Sequence, residues 1–207
     1  MALTPERREK ALKEGQTFEE FVNSAKVNRE FFLANYQAYE LSTDDLAFFA
    51  SLEEPIEVLA LVEDWCGDVV ANTPLFALIE KVTGKLNLHL LPRDPDNQDI
   101  AVAYPHTDGR NHIPTYLFYN QAGEELGVLI ERPEVITTHL QGWFKAFFDN
   151  HPELEGRGKP LGELSSEVKT SLLSYIREQR AQVVHLEQTA ILETIQQIVR
   201  RPAFVAR

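Results

Sequence analysis

The chain has 207 residues, 43% of them hydrophobic and 25% charged, an ordinary globular composition that can bury a sizeable core in one domain with additions. Its net charge of −12 is concentrated in residues 51–150, where 16 acidic side chains face 6 basic ones, and this excludes the basic surface that nucleic acid requires. A single cysteine excludes a scaffold of intrachain disulfides. No run approaches the roughly 20 apolar residues of a membrane span, and the charged start of the chain does not read as a signal peptide, so the expected setting is the cytoplasm without membrane attachment.

Residues 1–50 read as short helices that form an extension packed on a core. Thr4-Pro5-Glu6 supplies an N-cap, a proline at the first helical position and an acid in the first turn. Thr17-Phe18-Glu19-Glu20 fits a capping box, and Ser42 opens a third start. The core is expected over residues 51–150. Ile56 to Glu63 is nearly continuous in apolar residues, which suits a central strand covered on both faces. A helix over 67–84 contains Pro74 and ends at Gly84. Leu86 to Leu91 is the second strand, parallel to the first through a right-handed crossover.

Asp96 is the expected cap of a short helix near 97–104. Thr115–Tyr119 and Leu126–Glu131 surround a short Gly-containing turn and read as an antiparallel hairpin. Pro133 opens a helix to about residue 149. Residues 151–163 are rich in Gly and Pro and read as a linker. From Ser165, apolar residues recur at close to helical spacing, predicting one long helix to Arg200 that stops at Pro202 within a C-terminal extension over 164–207. Its apolar stripe needs a covering surface, and a homodimer through this helix is one expectation.

Cys66 falls where the first strand turns into the helix. A thiol at a helix N-terminus is favoured as the thiolate by unpaired N–H groups and the helix dipole. Asp64 and Asp68 oppose this; Arg110 and His112, ahead of Pro114, are expected to offset them and tune the thiol. No metal site is expected. The Asp94, Asp96 and Asp99 loop lacks the Gly and Glu positions of a calcium loop, and His106 and His112 match no established ligand spacing.

These residues resemble the thioredoxin superfamily. The likeness rests on a strand that ends in Trp65-Cys66-Gly67-Asp68 at a helix start, and on Pro74 eight residues after the cysteine. A βαβ unit followed by a ββα unit, and Ile113-Pro114-Thr115 ahead of the third core strand, complete it. More narrowly, the chain is similar to a bacterial thioredoxin-like family with a Trp-Cys-Gly-Asp-Cys active site and extra helices on both sides of the core; Arg93-Asp94 fits that family too. The resemblance implies an α/β thioredoxin-like fold: a mixed four-stranded central sheet flanked by helices, with a cis-proline at Pro114 facing Cys66. It also implies a substrate-binding Ile113-Pro114-Thr115 element and Trp65 as a wall of the groove.

The departure from the family is at Val69, where the second cysteine of the motif should stand, so an intramolecular resolving step is lost. Ala60 stands where thioredoxins usually place a buried acid that moves protons during resolution. Two functions stay open. One is monothiol disulfide exchange at Cys66 with a client protein, glutathione or another small thiol as co-substrate, without a bound cofactor. The other is a redox-inactive protein-binding module or oxidation sensor. Neither is a self-sufficient dithiol reductase.

Overall fold

The computed structural model describes residues 3–200. The chain divides into two compact units, Met1–Arg132 with Ile191–Arg207, and Pro133–Ala190. The first unit opens with α1 (Pro5–Glu14), α2 (Phe18–Ser24), α3 (Arg29–Ala38) and α4 (Thr43–Ala50). Thr4, Thr17 and Ser42 cap their helices with side-chain oxygens, and Glu20 and Asp45 complete capping boxes. Then follow β1 (Ile56–Val62), α5 (Gly67–Thr83), β2 (Leu86–Pro92), α6 (Gln98–Ala103), β3 (Thr115–Tyr119) and β4 (Glu125–Ile130). Asn97, not Asp96, is the residue at the start of α6.

The strands form one sheet in the order β2-β1-β3-β4, with β1 parallel to β2 and both β1–β3 and β3–β4 antiparallel. This is the mixed α/β architecture of the thioredoxin-like fold. The register places Val58, Ala60, Tyr116 and Phe118 on one face. There Phe76 of α5 stacks on Tyr116 with ring centroids 4.0 Å apart, a contact worth about 0.5–1.5 kcal/mol beyond its burial. On the other face Leu59, Leu61, Leu91 and Leu117 pack with Ala11 of α1 and with Ile100 and Ala101 of α6. Each buried leucine or isoleucine among them contributes about 1.5–3 kcal/mol.

The N-terminal extension is tied to this sheet. Gln16 forms a two-way backbone bridge with Leu90, the two N–H···O bonds each 2.8 Å long, and so covers the edge of β2. Gly15 permits the approach, because a Cβ there would lie 2.6 Å from the His89 Cβ. A second tie serves α5. Pro74 has no N–H for the Val70 carbonyl one turn before it. Asn35 Nδ2 of α3 donates to that carbonyl at 2.8 Å, and the Tyr39 hydroxyl donates to the Ala71 carbonyl at 2.6 Å.

The second unit contains α7 (Glu134–Asn150), α8 (Ser166–Ala181) and the start of α9 (Val184–Val199). Phe147 and Phe148 of α7 pack against Val168, Leu172 and Ile176 of α8. The Gly/Pro-rich stretch between them is partly packed: Leu154, Leu161 and Leu164 join the same cluster.

The single long helix expected after Ser165 is instead two helices, and the expected stop at Pro202 lies outside the described residues. The chain turns at Gln182 and Val183, and Arg180 on one side of the break pairs with the buried Glu187 on the other. Most of the stripe that raised the dimer expectation is covered within the chain, while Leu186 is exposed. The α8 part of the stripe faces α7, while Ile191, Ile195 and Ile198 of α9 are buried, Ile198 against Gly127 of β4.

Candidate functional site

Strand β1 carries its backbone out of the sheet at Val62, and residues 63–66 turn into α5 with Cys66 at the N-cap in extended backbone conformation. Asp64 does not face the thiol as an acid. Its carboxylate accepts from the N–H of Lys26 at 2.6 Å and of Val27 at 3.3 Å, and its carbonyl accepts from Asn28 Nδ2 at 2.9 Å. The α2–α3 turn is thereby fastened beside Trp65. That indole is 57% exposed, with the Arg93 guanidinium 5.9 Å from its ring centre. Arg93 itself is held by the Asp94 carboxylate at 2.6 Å.

The Ile113–Pro114 peptide is cis, and the Cys66 S–H donates to the Ile113 carbonyl at 3.4 Å. Ile113 and Pro114 are buried. Thr115 is fully buried; its hydroxyl donates to the His112 carbonyl at 2.7 Å, so it braces the loop rather than facing a ligand. From behind, the Glu131 N–H donates to the Pro114 carbonyl at 2.7 Å. Val69 is fully buried in the first turns of α5, an apolar side chain where the motif would carry its second thiol. Ala60 pairs across the sheet with Tyr116, whose hydroxyl is bound to Thr73 at 2.9 Å. No carboxyl group stands at Ala60 to take up a proton.

The balance that the sequence leaves open between the helix N-terminus and the nearby acids falls against the thiolate. Burial pushes Cys66 up to about 11, and the negative charge of Asp68 adds to it. The N–H groups of Val69 and Asp68 and the charge of Arg132 act in the opposite direction and are outweighed. Here the sulfur is half-buried, and the two N–H groups at the helix N-terminus do not make up for its lost hydration.

The expected tuning partners also differ. Arg110 lies on the exposed turn, its N–H donating to Asp108 at 2.9 Å. His112 pairs through Nε2 with Asp108 at 3.0 Å and through Nδ1 with Glu131 at 3.2 Å. Arg132 acts on the thiol, with its Nε 3.2 Å from both carboxylate oxygens of Asp68, and the Arg93 guanidinium also interacts with it electrostatically. Arg132 also pairs with Glu131. Sequence reasoning missed both residues. They close the strand β4 some 64 positions from Asp68, a distance at which no local spacing signals a pair.

Glu131 is a constrained residue. Its φ of 65° is left-handed, costing a non-glycine residue about 1–2 kcal/mol. Its carbonyl accepts from Asn72 Nδ2 at 2.8 Å, its N–H serves Pro114, and its carboxylate serves His112 and Arg132. The result is one chain of charged groups, Asp68, Arg132, Glu131, His112 and Asp108, passing behind the Ile113–Pro114 element.

A β1–α5 junction that carries a thiol opposite a cis-proline, on a β2-β1-β3-β4 sheet, defines a thioredoxin-fold protein. A family model described as thioredoxin matches residues 15–144, and the chain belongs to that family. Two solved structures share its fold. One is a protein of unknown function from Pseudomonas aeruginosa, 16% identical, with a TM-score of 0.58, over 96% of this chain and 98% of that one. The other is an HIV epitope scaffold, also 16% identical, with a TM-score of 0.58, over 92% of this chain and 96% of that one. No curated protein matches the chain.

Proposed function

We propose that this chain is a thioredoxin-fold binding module, which holds an extended segment of a client protein along Trp65, Gly67 and the Ile113–Pro114 element without turning over disulfides. The observation that carries this reading is the resting geometry of the thiol. Cys66 donates its proton to the Ile113 carbonyl, and buried Val69 occupies the place of a resolving cysteine. An attacking sulfur needs to be a thiolate, and its mixed disulfide needs a second thiol.

Two surface features support binding. Trp65 presents a largely exposed indole, the type of side chain that anchors protein contacts. A Cβ at Gly67 would meet nothing within 4 Å, and its φ lies outside the left-handed range, so packing and backbone conformation inside the chain leave this glycine unexplained. An open glycine beside an exposed Trp lets a partner's backbone come close.

The second reading is monothiol exchange with glutathione, a similar small thiol or a client, in a cytoplasmic setting. It is favoured by the N–H groups of Asp68 and Val69 and by Arg132, which all act toward the thiolate. One experiment separates the two. The unaltered chain and Cys66→Ser are each incubated with candidate client peptides and with oxidised glutathione. The module retains peptide equally in both forms and gains no mass from glutathione. Exchange gives a covalent adduct that dithiothreitol releases and that Cys66→Ser abolishes, and that outcome replaces the first reading with the second.

A further inference from the structure

The turn that precedes the cis-proline gathers three metal-binding side chains. His106, Asp108 and His112 each offer a ligand atom, and these atoms all lie within 4.8 Å of one another. The Asp108 carboxylate is 3.5 Å from His106 Nδ1 and 3.0 Å from His112 Nε2. For tetrahedral coordination with bonds of about 2.0–2.1 Å, neighbouring ligand atoms sit about 3.3–3.4 Å apart, so small side-chain adjustments reach the required spacing.

The chain builds this cluster with local means. The His106 N–H donates to the Arg110 carbonyl at 2.8 Å and the Gly109 N–H to the His106 carbonyl at 2.8 Å. Gly109 takes a φ of 78°, which glycine adopts freely. The turn folds back, and the two imidazole rings come within 4.6 Å, centre to centre.

A second observation concerns the far side of His112. Its Nδ1 lies 3.2 Å from the Glu131 carboxylate, the constrained residue at the end of β4. A carboxylate that holds the other nitrogen of a histidine fixes its tautomer and leaves the first nitrogen free to coordinate. Here that first nitrogen is Nε2, the one directed at Asp108.

We propose that His106, Asp108 and His112 bind one divalent first-row transition ion of the zinc type, with Glu131 positioning His112. Two imidazoles and one carboxylate suit such an ion better than Mg2+ or Ca2+, which take oxygen ligands. Three protein ligands leave a coordination position open. His112 directly precedes Ile113–Pro114, so the ion would fasten the loop that faces Cys66, while Cys66 itself stays outside the ligand set.

The test uses the full chain without a histidine tag, stripped with a chelator and then titrated with Co2+ and Zn2+. Calorimetry should give one ion per chain, the cobalt form should show d–d absorption without sulfur-to-metal charge transfer, and zinc should raise the melting temperature. His106→Gln and Asp108→Asn change half-exposed turn residues, and circular dichroism checks that both remain folded. Each should weaken binding by about tenfold or more, and Glu131→Gln by about 10–100-fold, while Cys66→Ser leaves it unchanged. Absence of stoichiometric binding, affinity unmoved by His106→Gln and Asp108→Asn, a thiolate charge-transfer band, or preference for Mg2+ or Ca2+ would overturn the proposal.

Discussion

Cys66 and His112 flank the same two residues, Ile113 and Pro114, and the protein treats them in opposite ways. The thiol sits half-buried at the start of α5 with Asp68 as its neighbour, and burial with that negative charge disfavours the thiolate. The imidazole sits half-exposed on a turn, with a carboxylate at each ring nitrogen. One line of alternating charge links their surroundings, since Arg132 joins Asp68, the neighbour of the thiol, to Glu131, and Glu131 joins Arg132 to His112. The contrast shows that a nucleophile in its family's position is not thereby reactive. Dehydration and the sign of the nearest charge outweigh the helix N-terminus.

The largest expected effect tests the quiet thiol directly. At pH 7 iodoacetamide should modify Cys66 about 100-fold more slowly than an ordinary cysteine, with the rate still rising near pH 10, because only the thiolate reacts. A plateau at or below pH 8.5 would erase the contrast. Asp68→Asn should accelerate the reaction, and Val69→Cys without it should leave insulin reduction weak, because a second thiol does not supply the missing thiolate.

Next is Arg132→Met, which removes a guanidinium from a largely buried carboxylate. Unfolding by urea should report a loss of about 3 kcal/mol, and the thiol pKa should rise further. Unchanged stability would show that the line of charges is not a structural element.

A similar but pH-limited effect follows from the thiol itself. Its folded pKa lies above its unfolded one, so the fold favours the protonated form. That contribution is complete below about pH 8.5 and disappears as pH rises toward 11, a loss of about 3 kcal/mol at most. Stability of Cys66→Ser should lack this decline, measured by urea midpoints from pH 7 to 11.

The smallest effect belongs to the same helix, a little more than one turn beyond the thiol. Tyr39→Phe removes one donor to the Ala71 carbonyl and should cost about 1 kcal/mol. A neutral result would mean that water serves that carbonyl equally well.

Much of the first unit was legible in the sequence, for identifiable reasons. Ile56–Val62 is apolar on both faces because α1 and α6 cover one face and α5 the other. Thr4, Thr17 and Ser42 mark helix starts because their hydroxyls accept from backbone N–H groups three residues on. The break between α8 and α9 carries neither Gly nor Pro and is bridged by the Arg180–Glu187 pair, so helical spacing continued through it unmarked. At the site, position was readable and electrostatics was not. The resemblance to thioredoxins placed Cys66 opposite Pro114, and the structure has them so. The sequence could not say how buried the sulfur is, nor that the cations acting on it are Arg132 and Arg93 rather than Arg110 and His112.

Asn35 binds the Val70 carbonyl that Pro74 leaves open in α5 and Tyr39 binds the neighbouring Ala71 carbonyl, so the helix bearing the thiol is braced by a segment from outside the sheet. Local opening of α3 would therefore loosen α5 near Cys66, and amide hydrogens of both helices should exchange as one cooperative unit. Access to the sulfur would then be governed by the breathing of residues 29–39, with the extension serving as a latch on a thiol that its own surroundings already keep quiet.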